Sequence, residues 1–278
     1  MDPTGFSRRA LLALGGALAL RGTPLFAQDR LANLYQARTI VTGRRPETRI
    51  PGMASCLAQV LVRVSGDPRL AERPELARLA QTPEAPVKTY SYRDLYAFRP
   101  IRDEQGTRDR PYEMTVEYVP EKVNDLLSAL GSRPWLEERP RLVVFLAVRH
   151  IASSFVLTSM AGAGDLMRES FRDASWAHAL EVVIPSDLQV AKAGLTVDGL
   201  PEVQASALEP LVDRNAGQIP LLGSLAWSKE LLAWRAEWRL DWRGREHRWS
   251  IEGVNFDAAF RNGVGGAAQI FSGNGEPG

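Results

Sequence analysis

The sequence predicts an α+β protein: two small α/β domains with mixed sheets covered by helices, following an N-terminal signal peptide. Three observations predict it. A short apolar run behind paired arginines opens the chain, and a proline-containing break ends it. Segments of period 2 and period 3.6 then alternate along the rest. The third is composition: 45% hydrophobic and 24% charged residues over 278 positions is ordinary for a folded protein and excludes wholesale disorder. Charge excludes more. The 34 Lys and Arg balance 33 Asp and Glu, a formal net charge of +1, so there is no basic footprint for nucleic acid or for an acidic membrane surface. The single cysteine excludes an internal disulfide and a Cys-rich zinc site.

Residues 1–27 read as the targeting segment. Ser7, Arg8 and Arg9 precede the apolar run from Ala10 to Leu20, which is well under the ~20 residues a spanning helix needs. Arg21, Gly22 and Pro24 break the run, and Ala27 offers a small residue for cleavage before Gln28. The arginine pair with Leu11 and Leu12 behind it is similar to a twin-arginine export signal, a reading preferred here to the general secretory route. The expected location is a bacterial periplasm. Without these residues the chain has 31 basic and 32 acidic side chains, and no stable membrane span is expected.

Residues 28–134 form the first expected domain. Leu34 to Thr42 is β-branched and aromatic enough for a strand. Ile50, Met53, Ala54, Leu57, Leu61 and Val64 fall at helical spacing, with Pro51 suited to the first turn and Gly66 to the exit. Cys56 lies inside this helix among apolar neighbours and reads as a buried structural thiol. Prolines 68, 74, 83 and 86 punctuate the next stretch, with a short helix over Leu76 to Leu79. Val87 to Tyr92 is a strand, and the charged segment from Arg99 to Arg110 a loop. Tyr112, Met114, Val116 and Tyr118 then alternate with polar residues, as one face of a strand does. Pro120 opens a helix that ends at Gly131.

Residues 135–271 form the second domain, and 272–278 a frayed tail. Leu142 to Val148 is apolar without alternation, as in a central strand covered on both faces. Asp165 is placed to cap a helix running to about Ala179. Val182 to Ile184 and Ile219 to Ala226 read as strands, and Val203 to Val212 as a helix. Trp234, Trp238 and Trp242 lie on one face of a long strand whose other face carries Arg235, Glu237, Arg239 and Asp241. Arg243-Gly244 turns this strand into a partner that holds Trp249 and Ile251. Phe256, Ala259, Phe260, Ala267 and Phe271 mark a closing helix, which Gly263, Gly265 and Gly266 should weaken.

Four stretches together resemble a family of exported bacterial proteins known only as domain of unknown function 2066. They are Leu34-Tyr35-Gln36-Ala37, the segment from Cys56 to Asp67, Trp135 with the segment from Arg139 to Val148, and Leu221-Leu222-Gly223-Ser224 with the Trp238 strand. The resemblance covers nearly all of the exported chain. It departs at Phe145, where Trp is the commoner family residue. It implies no reaction, ligand or catalytic set. The second half is also similar in pattern to small α/β domains of periplasmic envelope-assembly proteins, the amino-terminal domain of TolB among them.

Candidate chemistry is sparse. His150 follows the buried strand directly, with Ser154 and Asp165 downstream, and these three are the alternative catalytic set. His178 near Trp176 suits a helix end as a cation, and His247 in a hairpin arm should be solvated. Gly162-Ala163-Gly164 before a helix lacks the third glycine of a phosphate cradle, and Asp165 would repel an anion there. No His or Cys pair has metal-ligand spacing, and no cofactor is expected. Trp234, Trp238, Trp242 and Trp249 would bind sugar rings or a partner chain if their face stood open; a place beneath the closing helix is the preferred reading. The sequence therefore points to a non-catalytic periplasmic protein, an envelope scaffold or assembly partner with a protein partner. A periplasmic enzyme or small-ligand binder at His150 is the alternative.

Overall fold

The structure is a computed structural model and describes residues 34–79, 81–97 and 110–278. The expected signal segment, with Ser7, Arg8, Arg9 and Ala27, lies outside the described residues, as does nearly all of the charged stretch 99–110. The described chain is α+β, with two sheets of which the larger has mixed strand directions. Among the described residues no helix is long and apolar enough to cross a membrane.

The first half runs β1 (Gln36–Thr42), α1 (Pro46–Ser65), a 3-10 turn (Pro68–Glu72), α2 (Pro74–Leu79), β2 (Val87–Asp94), β3 (Pro111–Tyr118) and α3 (Pro120–Ala129). The strands form an antiparallel sheet in the order β1-β3-β2. The alternation in β3 buries Met114, Val116 and Tyr118, and the apolar face of α1 covers them with Met53, Leu57, Val60 and Leu61. The Tyr118 hydroxyl donates to the Met53 carbonyl at 2.8 Å, so this buried phenol keeps a partner. Helix α1 starts earlier than its apolar period indicates. Pro46 occupies the first turn, where a missing N–H costs nothing, and Pro51 lies inside the helix. Gly52 is why the helix can lie so close to the sheet: a Cβ there would stand 2.6 Å from Val41 Cγ1.

The second half runs β4 (Leu142–Arg149), β5 (Ser154–Val156), α4 (Asp165–His178), β6 (Val182–Val183), α5 (Asp187–Lys192), α6 (Glu209–Arg214), β7 (Ile219–Ser228), β8 (Ala233–Trp242), β9 (Arg245–Val254) and α7 (Phe256–Phe271). The sheet order is β5-β4-β7-β8-β9, with β6 parallel beside the start of β4. Strand β4 is buried on both faces. Leu142, Val144, Leu146 and Val148 share a core with α4 and α7, while Val143, Phe145 and Ala147 share another with Leu200, Leu208, Leu211 and Val212. The helix expected over 203–212 is instead two 3-10 turns (Leu200–Glu202 and Ala205–Leu208) leading into α6. Pro210 lacks the N–H that would continue a helix through this point, so it falls in the first turn of the regular helix, which begins at Glu209. Arg243 and Gly244 have φ of 52° and 76°, the left-handed pair of a tight hairpin turn.

The tail differs from expectation. Asn274 Nδ2 donates to the Ser65 carbonyl at 3.0 Å, Arg69 donates to the Asn274 carbonyl at 2.6 Å, and Gln269 donates to the Glu276 carbonyl at 2.7 Å. It is fastened because it lies across the C-terminal end of α1, where carbonyls lack intrahelical donors.

Candidate functional site

His150 follows β4, and its N–H donates to the Ser153 carbonyl at 2.8 Å in the turn to β5. The exposed ring sits 5.6 Å from Trp227 and 5.3 Å from Trp234, centroid to centroid. Ser154 lies at the start of the short edge strand β5, opposite Arg149. Asp165 is the first residue of α4 rather than its cap. The capping position belongs to Gly164, whose φ of 86° and closeness to Leu157 disfavour any Cβ. The Asp165 carboxylate accepts from the Gly162 N–H at 3.2 Å and pairs with the Arg168 guanidinium, which holds its carboxyl below the usual carboxylate range. Among the described residues no hydrogen bond joins His150 to Ser154 or Asp165. The glycine loop is likewise closed on itself, since the Gly162 amide serves the chain's own carboxylate.

The tryptophan face does not stand open. Trp234, Trp238 and Trp249 are buried, and Trp242 is half-buried with its ring 4.7 Å from Phe271. Helix α7 covers them, and its glycines provide the room. A Cβ at Gly263 would stand 2.6 Å from Trp238 Cε2, and one at Gly266 2.6 Å from Trp249 Nε1. Gly223 on β7 opens the other side of the Trp238 slot, at 2.4 Å from Cζ3. The glycines read as helix weakeners are thus the sites where large rings pack against the helix backbone. The other two histidines also differ from expectation. His178 is buried and neutral at ordinary pH, because desolvation and then the Arg63 and Arg139 charges push its pKa down to about 4. His247 is buried, with Nδ1 2.9 Å from the Glu276 carboxylate.

The opposite face of β8 and β9 is the open one. Alternation places Arg235, Glu237 and Arg239 of β8 there, beside Glu246, Arg248, Ser250 and Glu252 of β9. Arg239 and Arg248 are directly opposed, and Glu246 lies between them, 3.4 Å from Arg239 and 2.6 Å from Arg248. The Arg248 hydrogen bond keeps the Glu246 carboxyl below its usual range. Arg235 pairs with Glu252 at 2.8 Å. The Arg235–Glu252 and Arg248–Glu246 pairs are exposed and add little stability, so they matter as a patterned surface, while the Arg239 side chain is largely covered and also donates to the Val203 carbonyl. Leu200 and Pro201 stand beside them, and a cleft of about 320 Å³ lies between that wall and Glu237, Arg239, Arg248 and Ser250. Arg149 holds the wall in place by donating to Ser224 Oγ at 3.3 Å and to the Val197 carbonyl at 2.7 Å.

Residues 29–136 match a domain of unknown function (DUF8605). That range contains the whole first core, from Leu34 to Leu130. The resemblance read from the sequence was to a differently numbered domain of unknown function and extended over both halves. No curated protein matches this chain. Among solved structures, the crystal structure of a competence or damage-inducible protein from Enterobacter asburiae is 13% identical, with 55% of this chain and 94% of that chain covered. Its TM-score is 0.25, a likeness that carries no argument.

The open face combines charges of both signs, apolar side chains at its border and the outer edge of β9, which among the described residues has no strand beyond it. Such a surface can pair with an extended segment of another chain through main-chain bonds and read it through charge. Sequence reasoning placed the charged residues of β8 on one face but put the weight on their tryptophan neighbours. The wall at Leu200 and Pro201 is distant in the chain, and no local signal associates it with this strand. Among the described residues no group of three His, Cys, Asp or Glu is placed to hold a metal ion.

Proposed function

We propose that this chain is an exported, non-catalytic protein of the bacterial periplasm, an envelope scaffold or assembly partner that binds another protein through the open face and outer edge of β8–β9. The observation that carries the reading is the uncovered charged face beside the Leu200–Pro201 cleft. The arginine pair at Arg8 and Arg9 supports twin-arginine export, and the resemblances to domain of unknown function 2066 and to envelope-assembly domains agree with such a role. A photo-crosslinking residue at Ser250, in the exported chain in living cells, should give one defined protein adduct. Arg248→Glu should abolish that adduct, and the same probe at exposed Leu188 should not form it. Equal adducts from Ser250 and Leu188, or none from Ser250, would overturn the reading.

The second reading is a periplasmic enzyme or small-ligand binder at His150. The exposed His150 ring, packed against half-buried Trp227 and buried Trp234, favours it. A screen on esters, glycans and peptides tests it; activity that His150→Ala leaves unchanged, or none in either protein, rules it out.

A further inference from the structure

We infer that the outer edge of β9 pairs with β9 of a second copy of this chain, antiparallel about a two-fold axis at Ser250. The inference rests on the proposed binding face and names the occupant of its edge. Among the described residues β9 is the last strand of its sheet, so one side of its backbone has no strand partner. Space is open near its end, where a Cβ on Gly253 would meet nothing within 4 Å.

Charge selects both the occupant and the register. Alternation puts Glu246, Arg248, Ser250 and Glu252 on the open face, and His247, Trp249 and Ile251 on the face toward α7. Residues opposed across an antiparallel ladder share a face, and a two-fold interface repeats every contact. With the axis at Ser250, Arg248 of each copy lies opposite Glu252 of the other. On the α7 side, buried Trp249 lies opposite half-buried Ile251. The Arg248 and Glu252 side chains are 63% and 59% exposed, so neither must be uncovered to meet a neighbouring strand. Arg248 then stands between Glu246 of its own strand, 2.6 Å away, and Glu252 of the second copy. The ladder runs from Arg248 to Glu252 in each copy and stops short of the bulge at Gly253, whose φ is 74°. Sliding the strands by two residues one way opposes Glu246 to Glu252, and sliding them the other way carries the bulge into the ladder. The remaining register that gives Arg248 an acidic partner, Glu246, sets Arg245 against Trp249 and His247 against itself. A single register thus joins unlike charges on one face and apolar side chains on the other.

Charge reversal tests this in the purified exported chain. Arg248→Glu opposes acid to acid and Glu252→Arg opposes base to base, so in sedimentation each variant alone should dimerise more weakly by about tenfold or more. Mixed together, one copy of each restores both Arg–Glu pairs, and a mixed dimer should form as tightly as the native one. Ser250→Cys lies on the axis, where opposed Cα atoms are about 5 Å apart, and should oxidise to a disulfide-linked dimer. Leu188→Cys, at an exposed site away from the edge, should not, and the native Cys56 is buried. The inference is overturned if the native chain stays monomeric up to about 1 mM, if the mixed variants form no dimer, or if S250C links no faster than L188C. A monomeric chain that gives a foreign-protein adduct from Ser250 in cells would overturn this inference and leave the proposed function standing; no adduct of any kind would overturn both.

Discussion

At the scale of single residues, His178 links burial to acidity. A Cβ on Gly265 would stand 2.9 Å from its Cε1 and Nε2, so α7 lies directly on the ring. The folded-state pKa of about 4 is below the ordinary 6.5 of an imidazole in the unfolded chain. Above pH 6.5 the ring is neutral in both states. Between 6.5 and 4 the unfolded chain binds a proton that the folded chain refuses, so stability falls as the pH drops through this window. The full effect is on the order of 3 kcal/mol. Urea unfolding at pH 7 and pH 4.5 should show the loss, and His178→Gln should reduce it; an unchanged slope in the variant would place the acid sensitivity elsewhere. Cys56 is the opposite case. Burial pushes its thiol up to about 12, so it is a packing residue with no thiolate at neutral pH.

At the scale of elements, α7 and β8 are specified jointly. The closing helix carries Gly263, Gly265 and Gly266 in its middle, each less favourable than alanine by about 1 kcal/mol in an isolated helix. Intrinsic propensity therefore predicts that Gly263→Ala stabilises the protein. Packing predicts the reverse, because the new methyl would stand 2.6–2.8 Å from three atoms of the Trp238 indole. Overpacking of this kind costs roughly 1–3 kcal/mol, so the net change should be a loss, read as a lower urea midpoint. A higher midpoint would mean the ring has room to move. The hairpin β8–β9 also sets the geometry of the proposed binding face: a single register buries Trp238 and Trp249 and places Arg239 and Arg248 together on the far side.

At the scale of the whole molecule, the two halves meet around the C-terminal end of α1. The last carbonyls of a helix have no intrahelical donors, and here the second half supplies them. Arg139 Nη2 donates to the Arg63 carbonyl at 2.8 Å, the Trp135 N–H to Val64 at 2.8 Å and Asn274 Nδ2 to Ser65 at 3.0 Å. Arg139 also donates to the His178 and Trp135 carbonyls. Arg139→Leu should therefore cost about 3 kcal/mol by stripping donors from buried carbonyls. It should also uncouple the halves. All seven tryptophans lie at position 135 or beyond, so their fluorescence follows the second half and the joint, where Trp135 and Trp176 meet the first half, whereas circular dichroism follows both halves. The two transitions should coincide in the native chain and separate in the variant; coincidence in both would mean the joint does not depend on Arg139.

Much of the architecture was legible because it is local. The alternation of Tyr112 to Tyr118, the unbroken apolar run of β4, the Trp strand and the face of α1 each lie within about ten to fifteen neighbouring residues, and backbone periodicity converts such patterns directly into elements. The candidate face on β8 was half legible: its charges were in the pattern, its Leu200–Pro201 wall was not. Contacts between distant segments decided the rest. The glycines of α7 make sense only beside Trp238 and Trp249, the neutrality of His178 only beneath Gly265, and the fastened tail only against the end of α1. Period determines which side of an element is apolar; close packing determines which partner covers it, and that choice is made by the whole chain.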